Sequence, residues 1–76
     1  MQVTIVFHHE PIESGRLVWW AESPDVPGFY ATREHFAETI QVAEAALREA
    51  LREAGIDPHS IQFSHAFAEV EEARPA

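Results

Sequence analysis

The chain begins with a stretch in which apolar and polar side chains alternate. In QVTIVFHH, residues 2–9, the apolar Val3, Ile5 and Phe7 occupy every second position. A period of two with β-branched residues is typical of a β-strand that buries one face. The next segment, residues 10–16, contains Pro, Ser and Gly and predicts a hairpin connection.

The second predicted strand, residues 16–23, is apolar on both faces. Because adjacent strand residues point to opposite sides, Trp19 and Trp20 cannot both enter one small core. One of them is therefore expected to meet another chain or to lie across the strand surface. The alternative is a partly exposed tryptophan covered by loops, and the pattern does not show which tryptophan faces outward.

A short third strand at residues 29–32 precedes an amphipathic helix at residues 33–54. The helix is predicted from apolar positions spaced by three and four residues: Phe36, Ile40, Ala43, Leu47, Ala50, Leu51 and Ala54. Gly55 is expected to end the helix in the left-handed conformation, and Asp57-Pro58 prevents its resumption. Thr32, Glu34 and His35 compete as the N-cap, and histidine caps poorly.

Alternation returns at residues 60–70, which predict a fourth strand, and residues 71–76 read as a frayed acidic tail. The order β-β-β-α-β indicates an α+β fold, a two-layer domain with one helix on a small, mostly antiparallel sheet. Because the helix crosses over the sheet, the fourth strand is expected to run parallel to the first.

Length and charge narrow the possible partners. With 76 residues the chain is expected to be a single domain, residues 1–76 with a core at about 3–70, and a core this small needs support. There is no cysteine for disulfides, so a homo-oligomer, a dimer or tetramer, is expected. The net charge of −8 repels phosphate backbones, which argues against direct nucleic-acid binding, and it attracts basic proteins.

No apolar run is long enough to span a bilayer, and Met1 leads directly into a strand rather than a signal sequence. A cytoplasmic protein without membrane contact is therefore expected.

Candidate chemistry is sparse. His8-His9-Glu10 invites a metal site, but adjacent strand residues diverge, and His35, His59 and His65 would have to converge from separate elements. Glu22 and Asp25 flank a proline-rich turn and are either a carboxylate pair or a cap and a solvated edge. No nucleophile motif and no glycine-rich phosphate loop is present. We expect no catalytic residues, no metal and no cofactor, and thus no enzyme.

The segment WWAESPDVPGFYATREHFAETIQVAEAALREAL resembles the N-terminal domain of HicB-type antitoxins. The loop Pro24-Asp25-Val26-Pro27-Gly28 matches the proline-containing acidic loop of that family. The helix positions that match are Glu34, Phe36, Glu38, Ala43, Ala46 and Leu47. The likeness covers about residues 3–70, with its specific part at 17–51. The chain is also similar to related short stand-alone bacterial domains of unknown function, which share the loop.

The HicB resemblance implies a partial ribonuclease H-like fold and an interaction role. Such antitoxins block HicA, a small basic mRNA interferase, and the acidic charge here suits that partner. Two departures matter. His35 stands where the family usually has Thr or Ser, and the sequence ends at Ala76, before the DNA-binding domain that typically follows, so DNA binding is not carried over.

Two functions are therefore predicted as alternatives. One is an antitoxin-type module that neutralises a basic HicA-like toxin by protein contact. The other is a stand-alone oligomeric bacterial domain that binds a small molecule or another protein. In both cases aromatic anchors and a rim of acids would form the partner or oligomer interface. The residues predicted for it are Trp19, Trp20, Glu22, Asp25, Phe29 and Tyr30.

Overall fold

A computed structural model describes residues 1–68 of the chain. Its elements are β1 (Gln2–Pro11), β2 (Leu17–Glu22), β3 (Ala31–Arg33), α1 (Phe36–Glu53), a 3₁₀ turn (Pro58–Ser60) and β4 (Gln62–Phe67). The predicted α+β arrangement in the order β-β-β-α-β, with one helix packed on the sheet, is confirmed. The end of the predicted fourth strand, at residues 69–70, and the predicted frayed tail, residues 71–76, lie outside the described residues.

The four strands form one mixed sheet in the order β3-β2-β1-β4. The pairs β1–β2 and β2–β3 are antiparallel, whereas β4 runs parallel to β1, as the crossover predicts. The two central strands are therefore β1 and β2, and β3 and β4 form the edges.

The core lies between α1 and one face of the sheet. Val3, Ile5 and Phe7 of β1 are buried there, as the alternation predicts. The helix presents a stripe at spacings of four residues, and its buried members are Thr39, Ala43, Leu47 and Leu51. Thr39 is the one hydroxyl in this stripe, and it donates to the carbonyl of His35 at 2.8 Å, so its burial leaves no unsatisfied donor.

The third strand and the helix both begin later than the sequence pattern predicts. Phe29 and Tyr30 precede the third strand instead of opening it, because the N–H of Phe29 closes a turn onto the carbonyl of Val26. The ladder with β2 then extends to Arg33, which keeps residues 31–33 out of the helix. His35 is the N-cap and makes no side-chain capping bond. The predicted stop is confirmed, since Gly55 has φ +92°.

Candidate interaction surface

The sheet face opposite α1 is the surface of interest. No other described helix or strand packs over it within residues 1–68. We call it the open face. Its strand positions, read from the alternation and the strand register, are Gln2, Thr4, Val6, His8, Glu10, Val18, Trp20, Glu22, Thr32, Gln62, Ser64 and Ala66. The hydroxyls of Thr4 and Ser64, 3.1 Å apart on β1 and β4, show that neighbouring strands present these side chains to the same side.

Three rings stand next to one another on the open face. The antiparallel register sets His8 opposite Trp20, and their rings stack with centroids 3.8 Å apart and planes 7° apart. Tyr30, just before β3, stacks on Trp20 with centroids 5.4 Å apart. We call His8, Trp20 and Tyr30 the aromatic ladder. Tyr30 is 62% exposed, so the ladder ends in a ring that faces solvent.

The aromatic ladder is flanked by carboxylates. His8 Nε2 lies 2.7 Å from Glu22 Oε2, and its Nδ1 lies 3.7 Å from Glu10 Oε2. Because a carboxylate only accepts hydrogen bonds, Nε2 carries the proton and donates to Glu22. His8 is mostly enclosed, whereas about half of each carboxylate side chain is exposed. The histidine therefore fixes Glu22 beside the ladder, and the acid still reaches solvent.

The charges on the open face have one sign. Its ionised strand residues are Glu10 and Glu22. Arg16, which directly precedes β2, and Arg33, the last residue of β3, do not contact these two carboxylates. Arg16 forms an ion pair with Glu34 at 2.9 Å, and Arg33 donates to the carbonyl of Thr32. No described strand places an arginine on the open face, and the basic side chain there is the enclosed imidazole of His8, which donates to Glu22.

The two tryptophans face opposite sides, as predicted, and Trp20 is the one on the open face. Trp19 lies on the helix side, where it stacks on His9 with centroids 4.2 Å apart and contacts Phe36 at 4.6 Å. It packs against the core cluster. Phe29, another residue predicted for the interface, also packs against the core, and its side chain is half-buried. The open face therefore brings Trp20, Glu22 and Tyr30 together, and it does not include Trp19 or Phe29.

The proline-rich loop between β2 and β3 consists of two consecutive β-turns. The N–H of Val26 bonds the carbonyl of Ser23, and the N–H of Phe29 bonds that of Val26. Each turn thus has a proline, Pro24 or Pro27, at its second position, which favours φ near −65°. Gly28 follows Pro27 with φ +90°, as type II turns require.

Asp25, within the first of these turns, contacts the first strand. Its Oδ2 accepts the backbone N–H of Thr4 at 2.8 Å. The β1–β2 ladder ends where Val6 faces Glu22, so the beginning of β1 has no strand partner on that side, and the loop carboxylate supplies an acceptor there. Glu22 and Asp25 therefore have separate partners, a histidine and a backbone amide. The loop thus holds the beginning of β1 in place. Asp25, which was predicted for the interface, instead contacts the backbone of the fold.

Two residues of the open face next to Trp20 and Glu22, namely His8 and Glu10, were not predicted as interface residues. They read as polar residues at the end of a strand and as a weak metal motif. The missing information was the register of the hairpin, which sets His8 opposite Trp20 and Glu10 opposite Val18. His8 and His9 do diverge to opposite faces, as predicted. Over residues 1–68 no three potential ligands gather closely enough to hold a metal ion.

In comparisons with family models, curated proteins and solved structures, nothing matches this chain. The resemblance to HicB-type antitoxins, including the partial ribonuclease H-like shape, therefore stays a prediction from the sequence. Among the described residues there is no helix of the length and apolar character that a membrane crossing needs.

Proposed function

We propose that this chain is a binding module that takes a basic protein on its open face, in the manner of a HicB-type antitoxin that neutralises a small basic mRNA interferase of the HicA type. The observation that carries the proposal is the single sign of charge on the open face. Its ionised strand residues are carboxylates, and they flank an aromatic ladder. A net charge of −8 adds long-range attraction for a basic partner.

The physical argument follows the usual anatomy of an interface. Aromatic side chains provide large contact areas that lose little side-chain entropy, and charged groups at the rim provide steering and selectivity. Here Trp20 and Tyr30 would be the anchors, and Glu10 and Glu22 the rim. Glu22 and Asp25 do not form the shielded carboxylate pair that acid–base catalysis would use, since about half of the Glu22 side chain is exposed, Asp25 is exposed, and each acid has a separate partner. Their exposure favours binding over catalysis.

The test is rescue of growth in cells that express a HicA-type interferase. Co-expression of the wild-type chain should restore growth and should pull down the toxin. Trp20→Ala should weaken rescue and capture at least tenfold, because an interface anchor is lost. Trp19→Phe is the matched control, since it alters the neighbouring indole on the covered face and should leave rescue intact. Absence of both rescue and capture by the folded wild-type chain would contradict the proposal.

A second candidate, a self-associating domain without a toxin, is favoured by the edge of β4. The other edge strand, β3, has only three residues, whereas β4 has six and contains no proline or lysine to block pairing. The backbone N–H and C=O groups of its even-numbered residues point toward β1, since the N–H groups of Gln62 and Ala68 donate to the carbonyls of Met1 and Phe7. The N–H and C=O groups of Phe63, His65 and Phe67 therefore point outward. Phe67 is also 58% exposed.

Two copies could join these edges about a two-fold axis at His65. Antiparallel pairing would then set Phe63 of each copy opposite Phe67 of the other, and exposed aromatic surface would be buried. The same register sets Ser64 of one copy opposite Ala66 of the other. The chain has no cysteine, so introduced thiols report on this register alone.

The measurement is oxidative crosslinking of single-cysteine variants. An equimolar mixture of Ser64→Cys and Ala66→Cys chains should form a disulfide-linked heterodimer, because directly opposed residues of such a pair lie about 4.5–5.5 Å apart. Either variant alone should crosslink much less, since its thiols are offset along the strands. A monomeric mass in sedimentation, or equal crosslinking in all three samples, would contradict edge pairing.

A further inference from the structure

The exposed end of the aromatic ladder combines a free ring face with a fixed carboxylate. We propose that this corner recognises an arginine side chain of the partner in preference to lysine, with the guanidinium plane against Tyr30 and its N–H groups on Glu22. This inference rests on the proposed function above, and it names the side chain that the open face selects.

Tyr30 supplies the flat surface. One face of its ring lies against Trp20, with planes 29° apart, while the residue as a whole is 62% exposed. Because Tyr30 is the outermost ring of the ladder, its other face is the one left to solvent. A cation over an aromatic face is attracted by the negative charge of the ring's π-system, and more strongly when water is excluded.

Glu22 supplies the acceptor beside this ring. The ladder between β2 and β3 pairs Ala21 with Ala31, so Glu22 and Tyr30 occupy the next positions along two antiparallel neighbours. Side chains at such positions have Cβ atoms about 5 Å apart. Glu22 uses Oε2 for His8, and within residues 1–68 its Oε1 accepts no hydrogen bond. The contact with His8 holds the carboxylate in place, so its remaining lone pairs have a set direction.

The ring of Tyr30 and the carboxylate of Glu22 together distinguish an arginine side chain from a lysine side chain. A guanidinium is planar and weakly hydrated, so it can stack on a ring and donate to a carboxylate at the same time, whereas an ammonium is a compact and strongly hydrated point charge. Charge alone would accept either side chain. The ring and the carboxylate on adjacent strands therefore predict a preference for arginine that net charge does not provide.

The test is a titration of the full chain with two capped glycine-serine peptides that contain three arginines or three lysines. A Trp19→Phe background leaves the indole of Trp20 as the single tryptophan reporter, followed by the NMR shift of its N–H at physiological salt. The arginine peptide is expected to bind at least threefold more tightly. Tyr30→Ala and Glu22→Gln should each bring the ratio of the two affinities close to one.

Glu13→Gln is the matched control for charge. Glu13 lies exposed in the hairpin turn, so its loss should weaken both peptides equally and leave the ratio unchanged. Equal affinities in the Trp19→Phe background, a ratio that survives Tyr30→Ala, or no binding of either peptide at millimolar concentration would overturn the inference. Toxin rescue without arginine preference would reject this inference alone, and arginine preference without rescue would reject the antitoxin role.

Discussion

Trp19 and Trp20 are neighbours in the chain, and each stacks on a histidine of β1, yet they lie in different surroundings. The pair His9–Trp19 is on the helix side, where the indole contacts Phe36 and packs against the core. The pair His8–Trp20 is on the open face, beside Tyr30 and Glu22. One strand register makes both stacks. The difference between them comes from what α1 covers.

The contrast between the two faces of the sheet separates residues that stabilise the fold from residues that are available for recognition. On the helix side, the ring of Trp19 contacts Phe36 and packs against the core, and this packing stabilises the fold. On the open face, Trp20 lies beside the enclosed His8 and the exposed Tyr30, with Glu22 next to them, and no described helix or strand packs over it. Substitutions on the two faces of the same strand should therefore have opposite consequences for unfolding and for binding.

The largest difference is expected within β1, at neighbouring residues on the two faces. Ile5 is fully buried, so Ile5→Ala removes packed atoms and leaves a cavity, with an expected loss of about 3–4 kcal/mol in the free energy of unfolding. Val6→Ala, at a half-buried position of the open face, should cost about 1 kcal/mol. Urea unfolding followed by circular dichroism measures both. Equal losses would mean that the open face is covered in solution.

The tryptophans give the next largest effect. Substitution of Trp19 should mainly lower stability, whereas substitution of Trp20 should mainly weaken binding. Trp19→Ala is expected to lower the free energy of unfolding by about 2–3 kcal/mol, less than for a fully buried tryptophan because the site is only half-buried. Trp20→Ala should cost about 1 kcal/mol and should weaken toxin capture much more than Trp19→Phe does. Chemical unfolding and pull-down on the same preparations measure the two quantities. If Trp20→Ala unfolds the chain as strongly as Trp19→Ala, the open face belongs to the core.

Periodicity predicted much of this fold, because the patterns are local. The alternation in β1 identifies Val3, Ile5 and Phe7 as core residues, and the helical spacing identifies Ala43, Leu47 and Leu51. Gly55 was predicted to end the helix in the left-handed conformation, and its φ is positive. The parallel pairing of β4 with β1 was predicted because the helix crosses over the sheet between them.

What the sequence did not predict depends on register and on long-range contacts. Neither His8 nor Glu10 reads as part of an interaction surface until the hairpin sets His8 opposite Trp20. The late start of β3 depends on the turn that Phe29 closes. The contact between Asp25 and Thr4 joins residues 21 positions apart, and no local pattern indicates it.

The smallest expected effect concerns the proline-rich loop between β2 and β3, which contains Asp25. Asp25→Ala removes the acceptor of the Thr4 N–H and should lower the free energy of unfolding by about 0.5–1 kcal/mol, because the hydrogen bond that is lost lies at an exposed site. Asp25→Asn is the matched control, since its amide oxygen can still accept the bond, and it should recover part of the loss. Hydrogen exchange of the Thr4 amide gives the local readout, and it should speed up most in the alanine variant. Unchanged exchange at Thr4 would show that the carboxylate does not hold this strand, and Asp25 would then be available to the partner as the sequence suggested.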